Sequence, residues 1–163
     1  DIPNFPKEGI VFKDITPLLS DALSFQTVID ILKSRYNNEK IDQVVGVEAR
    51  GFVFASALAY ALGSGMVMVR KPGKLPYKTY QKTYSLEYGE DSVEIHQDAL
   101  KDGQRVIIID DVLATGGTLA ACIALVKSNF QIKLGEGVFL VELDFLNGRK
   151  KLGDIPIYSM LHF

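Results

Sequence analysis

Apolar positions along this chain fall into two alternating patterns. Short unbroken runs read as strands buried on both faces: QVVGV (43–47), MVMV (66–69), RVIII (105–109), GVFLV (137–141) and IYSML (157–161). Between the runs the period changes. Phe25, Val28, Ile29, Leu32 and Tyr36 recur at helical spacing, with Ser24 where an N-cap would stand. Arg50 to Leu62 is small and apolar on nearly every side, which predicts a buried helix ending at Gly63. A further helix is predicted from about Gly117 to Ser128. Strands alternating with helices predict an α/β fold, a mostly parallel twisted sheet with helices on both faces.

Two stretches break this rhythm. Residues 1–20 hold Pro3, Pro6 and Pro17, each of which opposes regular structure before it. They read as an irregular segment with a short extended piece at Ile10 to Phe12. Residues 71–90, KPGKLPYKTYQKTYSLEYGE, are rich in Lys and Tyr. Alternation in Lys82 to Tyr88 and again in Ser92 to His96 predicts a hairpin turning near Gly89, Glu90 and Asp91. Tyr77, Tyr80 and Tyr84 are read as packing within it, and His96 as facing solvent. So long an excursion from a compact α/β domain points to function.

At 163 residues the chain fits one domain, 1–163. A net charge of −2 leaves no general basic face, so nucleic acid is not an expected partner and any basic site is local. No apolar run is long enough for a membrane span, and the start lacks a basic-then-apolar leader pattern. The chain opens at Asp1 without Met, as expected if a short stretch precedes it. One cysteine, Cys122, excludes an internal disulfide and fits a reducing, cytoplasmic setting. Its apolar neighbours Leu119, Ala121 and Ile123 predict an inert buried thiol. With two histidines and one cysteine no zinc site is expected, and His162 has no evident partner.

The most informative stretch is VIIIDDVLATGGT (106–118). Val106 to Ile109 form a buried run that ends in Asp110 and Asp111, which places both acids at the carboxyl edge of the sheet, where ligands of open parallel sheets bind. Ala114, Thr115, Gly116, Gly117 and Thr118 then lead into a helix. Glycines allow backbone N–H groups to approach an anion, and the helix start adds free donors and partial positive charge. These parts suit a phosphomonoester. The acids would repel it, unless they face another part of the same ligand. A ribose diol offers two O–H donors one sugar away from a 5′-phosphate, so the segment is shaped for a ribose 5-phosphate group. No Walker A motif or Rossmann fingerprint is present.

VIIIDDVLATGGT also resembles the phosphoribosyl-pyrophosphate signature of the type I phosphoribosyltransferases. FPKEGIVFKDITPLL, GVEARGF, VRKPGKLP and YSLEYG are similar, in order, to the adenine phosphoribosyltransferase pattern, and VFLVEL (138–143) more weakly. The resemblance implies the type I phosphoribosyltransferase fold, with a small N-terminal hood (about 1–20) and a long flexible hairpin lid (about 71–96). It implies transfer of phosphoribosyl from phosphoribosyl pyrophosphate to adenine, giving AMP and pyrophosphate, in a homodimer using Mg²⁺ held mainly by the substrate.

By the same resemblance, Asp110 and Asp111 would hold the ribose hydroxyls, directly or through magnesium, and Ala114 to Thr118 the 5′-phosphate. Ala49 and Arg50 would receive pyrophosphate, helped by Arg70, Lys71 and Lys74, with Arg70 and Lys71 the candidates for action across a dimer interface. Val11, Phe12 and Lys13 would form the adenine site, with the ring stacking on the base and backbone groups reading its edge. Lys13 stands where the family also carries Arg, a change that a backbone role tolerates. Glu87, with Tyr88 beside it, would be catalytic, as general base or by positioning adenine. Two alternatives stay open: a phosphoribosyltransferase for hypoxanthine, guanine or xanthine, and a non-catalytic phosphoribosyl-pyrophosphate sensor.

Overall fold

The computed structural model describes residues 1–85 and 89–163. Its centre is a five-stranded, wholly parallel sheet. After a two-stranded ribbon of β1 (Ile2–Pro3) and β2 (Val11–Phe12) come the helices α1 (Thr16–Ser20) and α2 (Ala22–Arg35). Next are β3 (Gln43–Val47), α3 (Gly51–Leu62) and β4 (Gly65–Val69). The hairpin strands β5 (Thr79–Ser85) and β6 (Glu90–His96) precede β7 (Arg105–Leu113), α4 (Gly117–Asn129), β8 (Lys133–Glu142) and β9 (Ile157–His162). Spatial order in the sheet is β4-β3-β7-β8-β9.

Strand alternation sorts the core onto two faces. Val45, Ile108 and Phe139 face α4 and the hairpin, whereas Val44, Ile107, Ile109 and Val138 face α2 and α3. Both faces are therefore covered, as continuous apolar runs require. One cover differs from expectation: on the α4 side it is a single helix plus the β5–β6 hairpin. The hairpin is tied to the sheet where the Arg70 and Glu94 backbones exchange hydrogen bonds of 2.9 and 2.7 Å.

Several expected boundaries move for local reasons. The cap of α2 is Asp21, whose carboxylate accepts from the Ser24 N–H at 2.8 Å, so the helix starts two residues before Ser24. Pro17 does not break structure: it lies in the first turn of α1, where its missing N–H costs no bond. The α3 helix is not buried all round. Val53 and Tyr60 lie on its outer side, and Tyr60 is 90% exposed. Strand β7 runs on to Leu113, so Asp110 and Asp111 lie inside it. His162 does have a partner: its Nδ1 lies 2.9 Å from Asp144 Oδ1, which raises its pKa, and 3.8 Å from Glu142. His96 is half-buried, edge-on against Tyr77. Cys122 is fully buried, and burial pushes its thiol pKa far up.

The capping assignment has a direct check. Asp21→Ala should lower the urea midpoint, while Ser24→Ala, which keeps the N–H that Asp21 holds, should leave it nearly unchanged. The reverse order would restore Ser24 as the cap.

Candidate active site

All five strands of a parallel sheet end on one edge, and here the edge is not level. Strand β7 pairs with β3 only as far as Ile109, but with β8 as far as Leu113. Asp110 and Asp111 thus occupy a step where one neighbour has ended and the other continues. The β3–α3 turn fills the vacated place. Gly51 makes this approach possible, since a Cβ there would sit 2.9 Å from both Asp110 Oδ1 and the Ile109 carbonyl. The peptide between Glu48 and Ala49 is cis.

A cavity of about 340 Å³ opens at this step. The N-terminal ribbon lines one side with Val11, Phe12 and Lys13. Ala49, Arg50 and Lys71 come from the ends of β3 and β4, and Asp110 and Asp111 from β7. Ala114 and Thr118 join it to a smaller cavity of about 70 Å³, whose walls include Thr115, Gly116 and Gly117. Residues separated by a hundred positions in the chain are thereby brought together. Arg70 and Lys74 line neither cavity; both are turned onto Glu48. The predicted Glu87 and Tyr88 lie outside the described residues.

The smaller cavity is the start of α4. Gly116 caps the helix at φ +78°, and first-turn N–H groups have no acceptor within their own helix. Gly116 is backed by Gly148: a Cβ on either would strike the other's loop, at the Gly148 or the Ala114 carbonyl. The LNGRK turn is thus the rear wall of the loop, a role with no local sign beyond the glycine itself.

Electrostatics in the larger cavity follow from pairing. Arg50 Nε lies 2.8 Å from Asp111 Oδ2, but not along a hydrogen-bonding direction, so that buried oxygen has no hydrogen-bond partner. The Arg50 guanidinium also stands 4.9 Å over the Phe12 ring. Burial, then the neighbouring Asp111 charge, raises the Asp110 pKa well above that of an ordinary aspartate; the backbone N–H of Asp111, 2.8 Å away, only partly offsets this. Lys71 forms an ion pair with Asp91 on the hairpin.

Glu48 is the residue that sequence reasoning missed. It sits inside GVEARGF, beside the Arg50 that drew attention. Its carboxylate takes Lys74 Nζ at 2.7 Å, the Lys71 N–H at 2.7 Å and Arg70 at 3.2 Å. Tyr84 was also missed, since its hydroxyl lies 3.2 Å from Thr118 Oγ1. Aromatic spacing alone had marked it as packing.

Over residues 15–131 the chain matches the phosphoribosyl transferase domain, and this is the class that its fold and cavity define. It is 61% identical to adenine phosphoribosyltransferase of Geobacter metallireducens, over all of this chain and 95% of that one. The crystal structure of adenine phosphoribosyltransferase from Thermoanaerobacter pseudethanolicus superposes with a TM-score of 0.95 at 53% identity, covering 99% of this chain and 94% of that one. The Saccharomyces cerevisiae enzyme, solved with an imino-altritol bisphosphate and adenine, gives 0.91 at 47% identity, covering 98% and 92%. The chain belongs to the adenine phosphoribosyltransferase family.

The Glu48 cluster makes acid stability testable. Burial opposes its charge, but the bonds from Lys74, Lys71 and Arg70 prevail and lower its pKa from 4.5 to about 2. The stabilisation is then fully present above pH 4.5 and lost as pH falls toward 2. Unfolding free energy of Glu48→Gln, measured across that window, should fall less steeply than that of the unmodified protein.

Proposed function

We propose that this protein transfers the 5-phosphoribosyl group of phosphoribosyl pyrophosphate to adenine, releasing AMP and pyrophosphate. We read residues 1–163 as one phosphoribosyltransferase domain, with residues 1–20 as hood and 71–96 as lid. The observation that carries the reading is one continuous cavity system joining an aromatic ribbon, a cationic turn, paired acids and a helix-start loop. By chemical kind these parts suit base, diphosphate, ribose diol and 5′-phosphate.

As the bond to pyrophosphate breaks, the ribose gains oxocarbenium character and the leaving group gains charge. Arg50 and Lys71 would take up that charge in a pocket sheltered from water. Asp110 and Asp111 would accept from the sugar hydroxyls. Phe12 would stack on adenine, with Val11 and Lys13 backbone groups at its edge. Glu87 would take or orient the proton that N9 loses, with Tyr88 beside it.

Magnesium suits this donor set: Asp111 Oδ2 is a buried hard oxygen without a hydrogen-bond partner. Carried by the diphosphate and ribose oxygens, the ion would offset leaving-group charge, with Asp110 or Asp111 as its nearest protein ligands. A homodimer is the assembly that the family resemblance implies. A reducing, cytoplasmic setting is supported by the lone buried Cys122. Among the described residues no helix is long and apolar enough to cross a membrane.

Adenine, phosphoribosyl pyrophosphate and Mg²⁺ should yield AMP, with hypoxanthine, guanine and xanthine turned over at least about a hundredfold more slowly, since a mismatched buried hydrogen bond is heavily penalised. Turnover of hypoxanthine without adenine would overturn the reading. Tight ligand binding with no turnover of any base would make the chain a sensor. Asp110→Asn combined with Asp111→Asn should raise KM for the sugar diphosphate at least about tenfold, with the fold retained by circular dichroism. Unchanged kinetics would remove the acids from the diol.

A further inference from the structure

The hairpin register places Tyr84 directly opposite Asp91. From there Tyr84 reaches the first turn of α4. Its ring covers Gly117, where a Cβ would meet it at 3.6 Å. Its hydroxyl lies 3.2 Å from Thr118 Oγ1 and 3.2 Å from Asp91 Oδ2. Lys71 Nζ stands 3.5 Å from the same hydroxyl while pairing with the same Asp91 oxygen. One phenol therefore joins the hairpin, the helix-start loop and a cation that lines the main cavity.

Proton counting limits what this junction can do. A phenol carries one proton, and so does a threonine hydroxyl. Tyr84 can give its proton to Asp91 or to Thr118, not fully to both. If Thr118 gives its own proton to a phosphate oxygen, its lone pairs turn back toward Tyr84 and need a donor. Asp91 can release the phenol proton because Lys71 already satisfies it. The chain Tyr84 to Thr118 to phosphate is then consistent in direction, and each bond strengthens the next.

We propose that Tyr84 is a positioning residue for the sugar phosphate: its hydroxyl donates to Thr118 Oγ1 and so aims the Thr118 hydroxyl at the phosphate, while the Asp91–Lys71 pair keeps the phenol in place. This rests on the reading of residues 114–118 as the phosphate loop. It makes the hairpin part of the phosphate site.

The test is a double-mutant cycle read by calorimetric titration with ribose 5-phosphate. Tyr84→Phe keeps the ring over Gly117, and Thr118→Val keeps the side-chain shape, so melting temperatures should hold. Each single variant should bind about three- to tenfold more weakly, the loss of one hydrogen bond. The double variant should bind no more weakly than Thr118→Val alone. KM for adenine should stay unchanged in Tyr84→Phe. Undiminished binding by Tyr84→Phe, or losses that multiply in the double variant, would overturn the inference. If the unmodified protein forms AMP while Tyr84→Phe binds ribose 5-phosphate normally, only this inference fails. If the unmodified protein binds no ribose 5-phosphate, the phosphate-loop reading fails and the inference with it.

Discussion

Charge crowding at the carboxyl edge of the sheet is the constraint on which the rest of this molecule depends. Arg50, Arg70, Lys71 and Lys74 share a small region with Glu48, Asp91, Asp110 and Asp111. Half-buried charges of one sign would be costly there, and the structure resolves this by pairing. Asp111 lies against Arg50, Asp91 against Lys71, and Glu48 against Arg70 and Lys74. Asp110 is not paired in this way, and its acidity is suppressed instead. Such pairing need not stabilise the fold much, because desolvation offsets most of the Coulomb gain. What it does is fix several cations at this edge, each beside the carboxylate that neutralises it.

The scaffold makes that crowding possible through close backbone approach. Strand β3 ends before β7, and the Arg50 turn enters the gap because Gly51 has no side chain to meet Asp110. The helix-start loop keeps its left-handed residue because Gly116 and Gly148 pack back to back. The hairpin, joined at Arg70 and Glu94, brings Asp91 and Tyr84 over the same edge. Stability and site geometry are thus shared: the turn that backs the helix-start loop also carries Arg149, whose guanidinium grips the buried Glu142 at 2.6 and 2.7 Å.

Much of this was legible in the chain. Continuous apolar runs marked the five parallel strands, because a strand covered on both faces cannot alternate, although at the sheet edges Met68 and Leu161 are 43% and 45% exposed. Two acids at the end of such a run, followed by a glycine-containing turn, marked a candidate site, and both segments do line the cavities at the sheet edge. Less legible were the limits of elements. The α2 cap moved to Asp21 because helix starts depend on which side chain reaches an N–H, and several polar candidates stood nearby. Pro17 opposes regular structure in the residue before it, yet it stands in the first turn of α1, one residue after the helix starts. The apolar look of α3 concealed an outer face, since small residues read alike on every side and Tyr60 faces solvent.

By itself the sequence determined the fold class, the strands and the chemical kind of ligand, because these follow from period, residue type and short-range spacing. Only the tertiary structure decided which charges neutralise one another. Glu48 drawing Arg70 and Lys74 aside, Asp91 holding Lys71, Gly148 supporting Gly116 and Tyr84 touching Thr118 all join segments that no local pattern connects. Their energies depend on distance and burial, which exist only once the sheet has formed.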